Sequence, residues 1–125
     1  MSGQTFRLQI GDISCIVLHE GPATPWPPEI MNRSPLELYV NATEDEAEDA
    51  RQNHGFEWIS SYNALFIESA GTRILIDTGL GKADAPRFGQ LATALESEGY
   101  NANDIDILFI THFHPDHCNG LVDQT

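Results

Sequence analysis

Three histidines and an aspartate lie within six positions near the end of the sequence and could bind a metal ion. They are His112, His114, Asp116 and His117. They follow the apolar run 105–110, which predicts a buried strand, so these side chains would lie at a rigid strand end. Imidazole nitrogens and a carboxylate oxygen suit Zn²⁺ and similar divalent metals. The cluster therefore predicts a metal site.

The spacing of the cluster explains how its members could converge. Residues two apart in an extended segment project to the same side, so His112 and His114 can reach one cation. Asp116 and His117 follow where the chain turns, and they can face a second cation or the other side of the first. A metal with an incomplete protein shell also binds water and activates it, which is hydrolytic chemistry. An exposed set of structural loop histidines is the alternative, and the strand-end position disfavours it.

The loop itself contains two residues that restrict or free its backbone. A proline stiffens it at Pro115, and we expect Gly120 to adopt a backbone conformation that other residues resist.

The stretch THFHPDHCNG at 111–120 resembles the H-x-H-x-D-H signature of the metallo-β-lactamase superfamily. A second stretch, ILIDTG at 74–79, resembles the strand of that family that ends in an Asp-Thr-Gly turn. The resemblance implies that His112 and His114 bind a first metal and that Asp116 and His117 bind a second. It also implies that Asp116 orients the attacking water, and that Asp77 is a structural group beneath the site that does not act as a catalyst.

The resemblance implies a metal-dependent hydrolase with two Zn²⁺ per intact site, iron or manganese being alternatives. A metal-bound hydroxide would attack an ester, a thioester, a lactone or a related small-molecule substrate. Two other functions stay open, namely an inactive fragment or metal-binding interaction module, and an iron-dependent redox member of the superfamily.

The sequence contains only part of the ligand set that the family uses. Family members add another histidine for each metal and a bridging aspartate after the signature, whereas this sequence stops at Thr125 and its other histidines, His19 and His54, lie upstream. We therefore expect residues 1–125 to be a metallo-β-lactamase-like domain truncated after the signature, with half of a site.

Composition suggests an acidic protein without general affinity for polyanions. Nineteen acidic against six basic residues give a formal net charge of −13, which predicts no nucleic acid and no membrane partner. A small-molecule substrate is what the family resemblance implies. Two cysteines, Cys15 and Cys118, are too few for a disulfide scaffold. Without a signal-peptide pattern or a transmembrane run, a cytoplasmic location is expected.

The remaining pattern predicts an α/β (α+β) fold with a mixed sheet. Alternation over 6–10 and 13–18 around Gly11-Asp12 predicts a hairpin. The apolar runs 63–68 and 73–77 predict strands covered on both faces, which join 105–110 in the central sheet. By resemblance this is the N-terminal αβ half of an αββα sandwich, and its exposed sheet face would need the missing half or a second copy of the chain to cover it.

Two helices and one loop complete the prediction. Thr43 and Glu46 form a capping box for a helix that reaches about residue 53. Asp84 caps a second helix that ends at Gly99 and crosses to a parallel strand. The proline-rich segment 21–28 predicts a loop, in which Trp26 lines a substrate pocket or, as we favour, packs the loop against the body.

Overall fold

The structure is a computed structural model that describes residues 5–21, 24–25, 41–53, 59–81 and 89–122. Its contacts divide the chain into two compact units, Met1–Pro22 with Ser61–Thr125 and Ala23–Ser60. The elements in chain order are β1 (Thr5–Ile10), β2 (Ile13–His19), β3 (Thr24–Pro25), α1 (Glu44–Asn53), β4 (Ile59–Ser60), β5 (Asn63–Ser69), β6 (Thr72–Ile76), α2 (Leu91–Ser97), β7 (Ile107–Phe109) and α3 (Pro115–Cys118). A short 3₁₀ turn at Ala102–Asp104 precedes β7, and another at Asn119–Leu121 follows α3.

The first unit is built on a five-stranded mixed sheet with the order β1-β2-β5-β6-β7. Its two hairpins are closed by two-residue turns, and Ile10 pairs with Ile13 in the first of them. Gly11 has φ +59°, while Ala70 and Gly71 in the second turn have φ values of +49° and +79°. Positive φ at these positions matches the twist of the flanking strands. The predicted hairpin and the predicted α/β fold class are confirmed.

One face of the sheet forms the core. Ile16, Phe66 and Leu75 occupy neighbouring register positions on β2, β5 and β6, and each is at most 7% exposed. Ala94 and Leu95 of α2 belong to the same buried cluster. Burying one such large side chain contributes about 1.5–3 kcal/mol, so α2 is held to the sheet by its apolar residues.

The opposite face of the sheet is more exposed. Ile107 and Phe109 are 49% and 56% exposed, and Phe6 and Ile10 on β1 are 62% and 59% exposed. The expectation that the run 105–110 forms a buried strand is therefore wrong for β7 within the described residues. An apolar run in the sequence shows only that burying its side chains would be favourable. Whether they are buried depends on other segments that pack over the strand.

The second unit contains α1 and the short pairing of β3 with β4, in which Pro25 lies opposite Ile59. The loop expected over 21–28 is thus wrong at Thr24 and Pro25, since a proline is tolerated in a short edge pairing. The prediction for Trp26 lies outside the described residues.

The capping box that begins α1 is confirmed. Thr43 N–H donates to Glu46 Oε2 at 2.8 Å, and Glu46 N–H donates to Thr43 Oγ1 at 3.3 Å. The side chain of Ala47, one residue further on, is buried. His54, beyond the helix, lies outside the described residues.

The crossover helix is shorter than expected. It begins at Leu91 with Gln90 at its N-cap, because Gly89 adopts φ +83° and interrupts any helix from Asp84. Asp84 itself lies outside the described residues. The helix ends as expected before Gly99, which has φ +89°. Among the described residues, no helix is long and apolar enough to cross a membrane.

The crossover confirms the predicted parallel strand pair. Ile74 pairs with Ile107 and Ile76 with Phe109, so the carboxyl ends of β6 and β7 lie side by side. Whatever follows these two strands is therefore brought together at one edge of the sheet.

Candidate metal centre

Asp77 follows β6 and Thr111 follows β7, and the two residues meet at the shared strand end. Asp77 N–H donates to the carbonyl of Phe109 at 2.9 Å, which extends the parallel pairing by one step. Asp77 then turns with φ +63°, a left-handed conformation that aspartate tolerates better than most residues. This turn directs its carboxylate toward the segment that follows β7.

The Asp77 carboxylate is a hydrogen-bond acceptor for three groups. Thr111 N–H donates to Oδ1 at 2.8 Å, Thr111 Oγ1–H donates to Oδ2 at 2.8 Å, and His117 Nδ1 lies 2.8 Å from Oδ2. Burial raises the pKa of Asp77, but the hydrogen bonds from His117 and Thr111 outweigh it and hold the pKa below its ordinary value. The carboxylate is therefore ionised at neutral pH and accepts from all three.

These contacts decide which nitrogen of two imidazole rings carries the proton. An ionised carboxylate can only accept, so His117 must donate from Nδ1 and its Nε2 keeps a lone pair. Because the Thr111 hydroxyl gives its proton to Asp77, its oxygen accepts from His112 Nδ1, which lies 3.1 Å away. The lone pair of His112 is then on Nε2 as well. Asp77 and Thr111 together leave two imidazoles ready to bind a cation.

The first donor pair is formed by His112 and His114. His112 Nε2 lies 3.0 Å from His114 Nδ1. Two nitrogens bound to one tetrahedral zinc at about 2.0–2.1 Å are about 3.3 Å apart. The observed separation is close to that value, so the pair fits a zinc-sized divalent ion.

The second donor pair is formed by His117 and Asp116. His117 Nε2 lies 3.4 Å from Asp116 Oδ2, and the two side chains are 30% and 35% exposed. The rings of His112 and His117 are in contact, with centroids 3.9 Å apart and their planes tilted by 47°. The two donor pairs are thus neighbours, as a site with two adjacent metals requires.

The donors occur as pairs and not as a larger cluster. Within the described ranges, no group of three or more histidine, cysteine, aspartate or glutamate side chains could hold one metal ion. The chemistry of the donor set fits a divalent metal, and each pair leaves coordination positions for other ligands.

The backbone of the donor segment is tied to the loop after β6. Thr78 N–H donates to the carbonyl of His117 at 2.8 Å, and Gly120 N–H donates to the carbonyl of Gly79 at 3.2 Å. A Cβ added at Gly120 would overlap the Thr78 carbonyl, far inside the 3.0 Å that real Cβ atoms keep. Gly120 has no positive φ, so the expected conformational reason for this glycine is wrong. It is required because two backbones approach closely.

The short helix α3 contains the second donor pair and directly follows the first. His114 is its N-cap and Pro115 is in its first turn, where a missing N–H costs nothing. His117 N–H donates to the His114 carbonyl at 2.9 Å. Cys118 directs its thiol to that same carbonyl at 3.4 Å, while Cys15 is buried, and both thiols are free.

Sequence reasoning missed two residues near this site. Thr111 could have been found from the sequence, because its hydroxyl side chain directly precedes the first histidine of the cluster. Glu20 has no such signal, because a glutamate at a strand end is typical of a surface position, and yet it is fully buried here.

Comparison with known proteins identifies relatives of about half of the chain. Ribonuclease Z of Agathobacter rectalis is 43% identical over 58 residues, which are 46% of this chain and 16% of that protein. Ribonuclease Z of Methanopyrus kandleri is 36% identical over 62 residues, 50% of this chain and 19% of that protein. The chain thus spans less than a fifth of the length of these curated relatives.

Two solved structures share the fold over nearly the whole chain. Hydrolase AbOPH of the beta-lactamase superfamily has a TM-score of 0.73 at 23% identity, covering 98% of this chain and 40% of that one. AidC, a dizinc quorum-quenching lactonase, has a TM-score of 0.71 at 23% identity with the same coverage. At this identity the similarity establishes the fold alone.

The ribonuclease relatives contradict the expectation that nucleic acid is not a partner. The expectation rested on a formal charge of −13. Net charge was a poor guide because it omits the charge of bound cations, which dominate the local field at a metal site. The net charge also belongs to a segment that spans only a small part of such enzymes.

The family model for the metallo-beta-lactamase superfamily matches residues 59–123. This match covers more than half of the 125 residues and includes both the Asp77 turn and the four candidate metal donors. It shows that the chain belongs to the metallo-beta-lactamase superfamily.

Proposed function

We propose that this chain supplies metal donors of a metal-dependent hydrolase. The observation that carries the proposal is the 3.0 Å approach of His112 Nε2 to His114 Nδ1. In the metal-free protein His114 Nδ1–H can donate to the lone pair of His112 Nε2, and a divalent cation can take the place of that proton between the two nitrogens. A divalent metal bound there supplies a Lewis acid that activates water and polarises an ester-type bond.

The four donors are given the roles that their positions support. His112 and His114 hold one metal, and His117 with Asp116 holds a second. Asp116 Oδ2 is partly exposed beside His117, so it can also accept a hydrogen bond from the attacking water and orient it. Asp77 contacts no substrate in this proposal, because its oxygens are used by Thr111 and His117. Zinc is the first candidate metal, two ions per intact site, and iron and manganese are the alternatives.

The first candidate substrate is a phosphodiester in RNA. The support is the identity of 36–43% between about half of this chain and parts of two ribonucleases Z. Two adjacent cations can bind both the attacking and the leaving oxygen of a phosphodiester.

The second candidate is a carboxylic ester or lactone. Its support is the match of 98% of the chain to a dizinc lactonase. That match includes parts of the chain outside the segments of 58 and 62 residues shared with the ribonucleases.

The metal assignment is tested by replacing one donor. His114→Ala removes one of two imidazoles, and we expect the Zn²⁺ dissociation constant to rise at least about tenfold. His19→Ala is the matched control, because His19 lies at the end of β2 in register with Asn63 and is not part of either donor pair. Zinc binding is measured by chelator competition. Unchanged zinc affinity in His114→Ala would reject the ligand assignment.

The substrate class is tested on the zinc-loaded protein with a short single-stranded RNA and an acyl homoserine lactone. We expect RNA cleavage that is abolished by chelator and strongly reduced by Asp116→Asn. Lactone hydrolysis without RNA cleavage would favour the second candidate instead. If the zinc-loaded protein hydrolyses neither, the hydrolase proposal fails for this chain.

A further inference from the structure

Glu20 is a buried carboxylate that belongs to neither donor pair. It follows β2 and has no exposed surface. Its Oε1 accepts hydrogen bonds from Gly81 N–H at 2.9 Å and from Gly89 N–H at 3.1 Å, and its Oε2 accepts from Leu91 N–H at 2.9 Å. Burial of an ionised group is costly unless its oxygens are satisfied. These backbone donors offset much of that cost, but burial still holds the pKa of Glu20 above its ordinary value.

The main chain of Glu20 is fixed as well. Its N–H donates to the carbonyl of Tyr62 at 2.9 Å, and its carbonyl accepts from Gln90 N–H at 2.9 Å. Glu20 is therefore anchored to the sheet on one side and to the start of α2 on the other, so its carboxylate has little freedom to move.

The loop that Glu20 holds is packed tightly between two groups. A Cβ added at Gly79 would lie 2.6 Å from Glu20 Cδ, and one added at Gly81 would lie 3.0 Å from the Asn119 carbonyl oxygen. Both glycines also have left-handed φ values, +71° and +63°. The loop 78–81 thus fills the space between the Glu20 carboxylate and the segment that follows the metal donors.

The same loop bonds directly to the donor segment. The His117 carbonyl accepts from Thr78 N–H at 2.8 Å and from Thr78 Oγ1 at 3.2 Å. Gly120 N–H donates to Gly79 O. A shift of the loop away from Glu20 would therefore move the backbone that carries His117.

We propose that Glu20 is a positioning residue for the metal donors. Its carboxylate holds the loop 78–81 against the segment 117–120 and so fixes the position of His117 relative to Asp77. This role rests on the proposed metal site. Glu20 contacts neither metal nor substrate, and it acts through the backbone of the loop.

Removal of the carboxylate should loosen the loop and weaken metal binding together. In Glu20→Ala we expect amide hydrogen exchange at Thr78 and Gly120 to accelerate at least about tenfold in the metal-free protein. We expect the Zn²⁺ dissociation constant to rise about 10–100-fold, as it does when groups that orient metal ligands are removed. Glu20→Gln, which keeps the shape but replaces one acceptor by a donor that faces an N–H, should act in the same direction. It serves as the test variant if Glu20→Ala does not fold.

The matched control is Ile16→Ala, which removes a buried side chain from the same strand but contacts the loop through neither oxygen nor charge. Added formate distinguishes a positioning role from general destabilisation. Formate can occupy the carboxylate position in Glu20→Ala and should restore slow exchange and zinc affinity there, but it should change neither in Ile16→Ala.

The outcomes separate this inference from the proposed function. The role of Glu20 would be overturned if amide exchange at Thr78 and Gly120 were no faster in Glu20→Ala than in Ile16→Ala. It would also be overturned if Glu20→Ala had normal zinc affinity, or if formate failed to restore a weakened zinc affinity in that variant. Absence of zinc binding by the unsubstituted chain would instead reject the metal site itself.

Discussion

Gly120→Ala tests whether the close approach of two backbones holds the donor segment in place. The added methyl group would overlap the Thr78 carbonyl oxygen, and the two segments would have to separate by roughly 1 Å to reach an ordinary van der Waals distance. That movement would stretch the bonds from Thr78 N–H to His117 O and from Gly120 N–H to Gly79 O, now 2.8 and 3.2 Å long, beyond hydrogen-bonding range. Two lost hydrogen bonds and the overpacking should together lower the free energy of unfolding by about 2–4 kcal/mol.

The assay is urea unfolding combined with a Zn²⁺ titration. Gly11→Ala is the control, because a Cβ at Gly11 meets nothing within 4 Å but its φ of +59° disfavours alanine, at a cost of roughly 1–2 kcal/mol. Both variants should therefore be less stable than the parent. Only Gly120→Ala should also lose zinc affinity. If Gly120→Ala binds zinc as tightly as Gly11→Ala, the backbone contact does not position the donors and the reasoning is refuted.

Three further predictions follow from contacts elsewhere in the chain. Asp77→Asn keeps the size of the side chain but leaves His117 or Thr111 without an ionised acceptor. Chelator competition should therefore show a zinc affinity about 10–100-fold lower. An unchanged zinc affinity would mean that Asp77 does not set the tautomer of His117. Hydrogen bonds from Thr43 N–H and Oγ1 hold the pKa of Glu46 below 4.5, so the stability that the capping box gives α1 should be complete above that pH and be lost as pH falls through the lowered pKa. An NMR titration of Glu46 checks this, and Thr43→Val should move the pKa part of the way back. Phe66→Ala, at a side chain only 1% exposed, should cost about 3–5 kcal/mol in urea unfolding, whereas Phe113→Ala, 83% exposed, should cost less than about 0.5 kcal/mol; equal costs would contradict the assigned core.

The parts of the fold that sequence predicts well are those closed by local interactions. Alternating strands on either side of Gly11 specify a hairpin because a two-residue turn leaves only one register. Thr43 and Glu46 specify a helix start because their mutual hydrogen bonds span three residues. The expected helix from Asp84 to Gly99 is not continuous, since Gly89 interrupts the backbone with a positive φ. A capping signal shows where a helix can begin, and a later glycine can still interrupt that helix.

The candidate donors could be picked out from the sequence because their spacing is local. The contacts that hold them in place could not. Thr111 meets Asp77 across 34 positions, and Glu20 meets Gly81 and Leu91 across 61 and 71 positions. Such contacts depend on how β2, β6 and β7 are arranged in the sheet, which no short pattern encodes. The exposure of Ile107 and Phe109 is unpredictable from sequence for the same reason, because cover is supplied by distant parts of a protein.

The parallel pairing of β6 with β7 has a consequence for the order in which this protein folds. Both hairpins can close by joining residues that are neighbours in the chain, whereas β7 reaches β6 only after the crossover 77–106 has folded back over the sheet. Contacts with large sequence separation carry the largest loop-closure cost and form slowly. The strand that leads into the candidate metal donors therefore joins the sheet after the hairpins close, and a metal ion captured at its end selects chains in which β6 and β7 are paired.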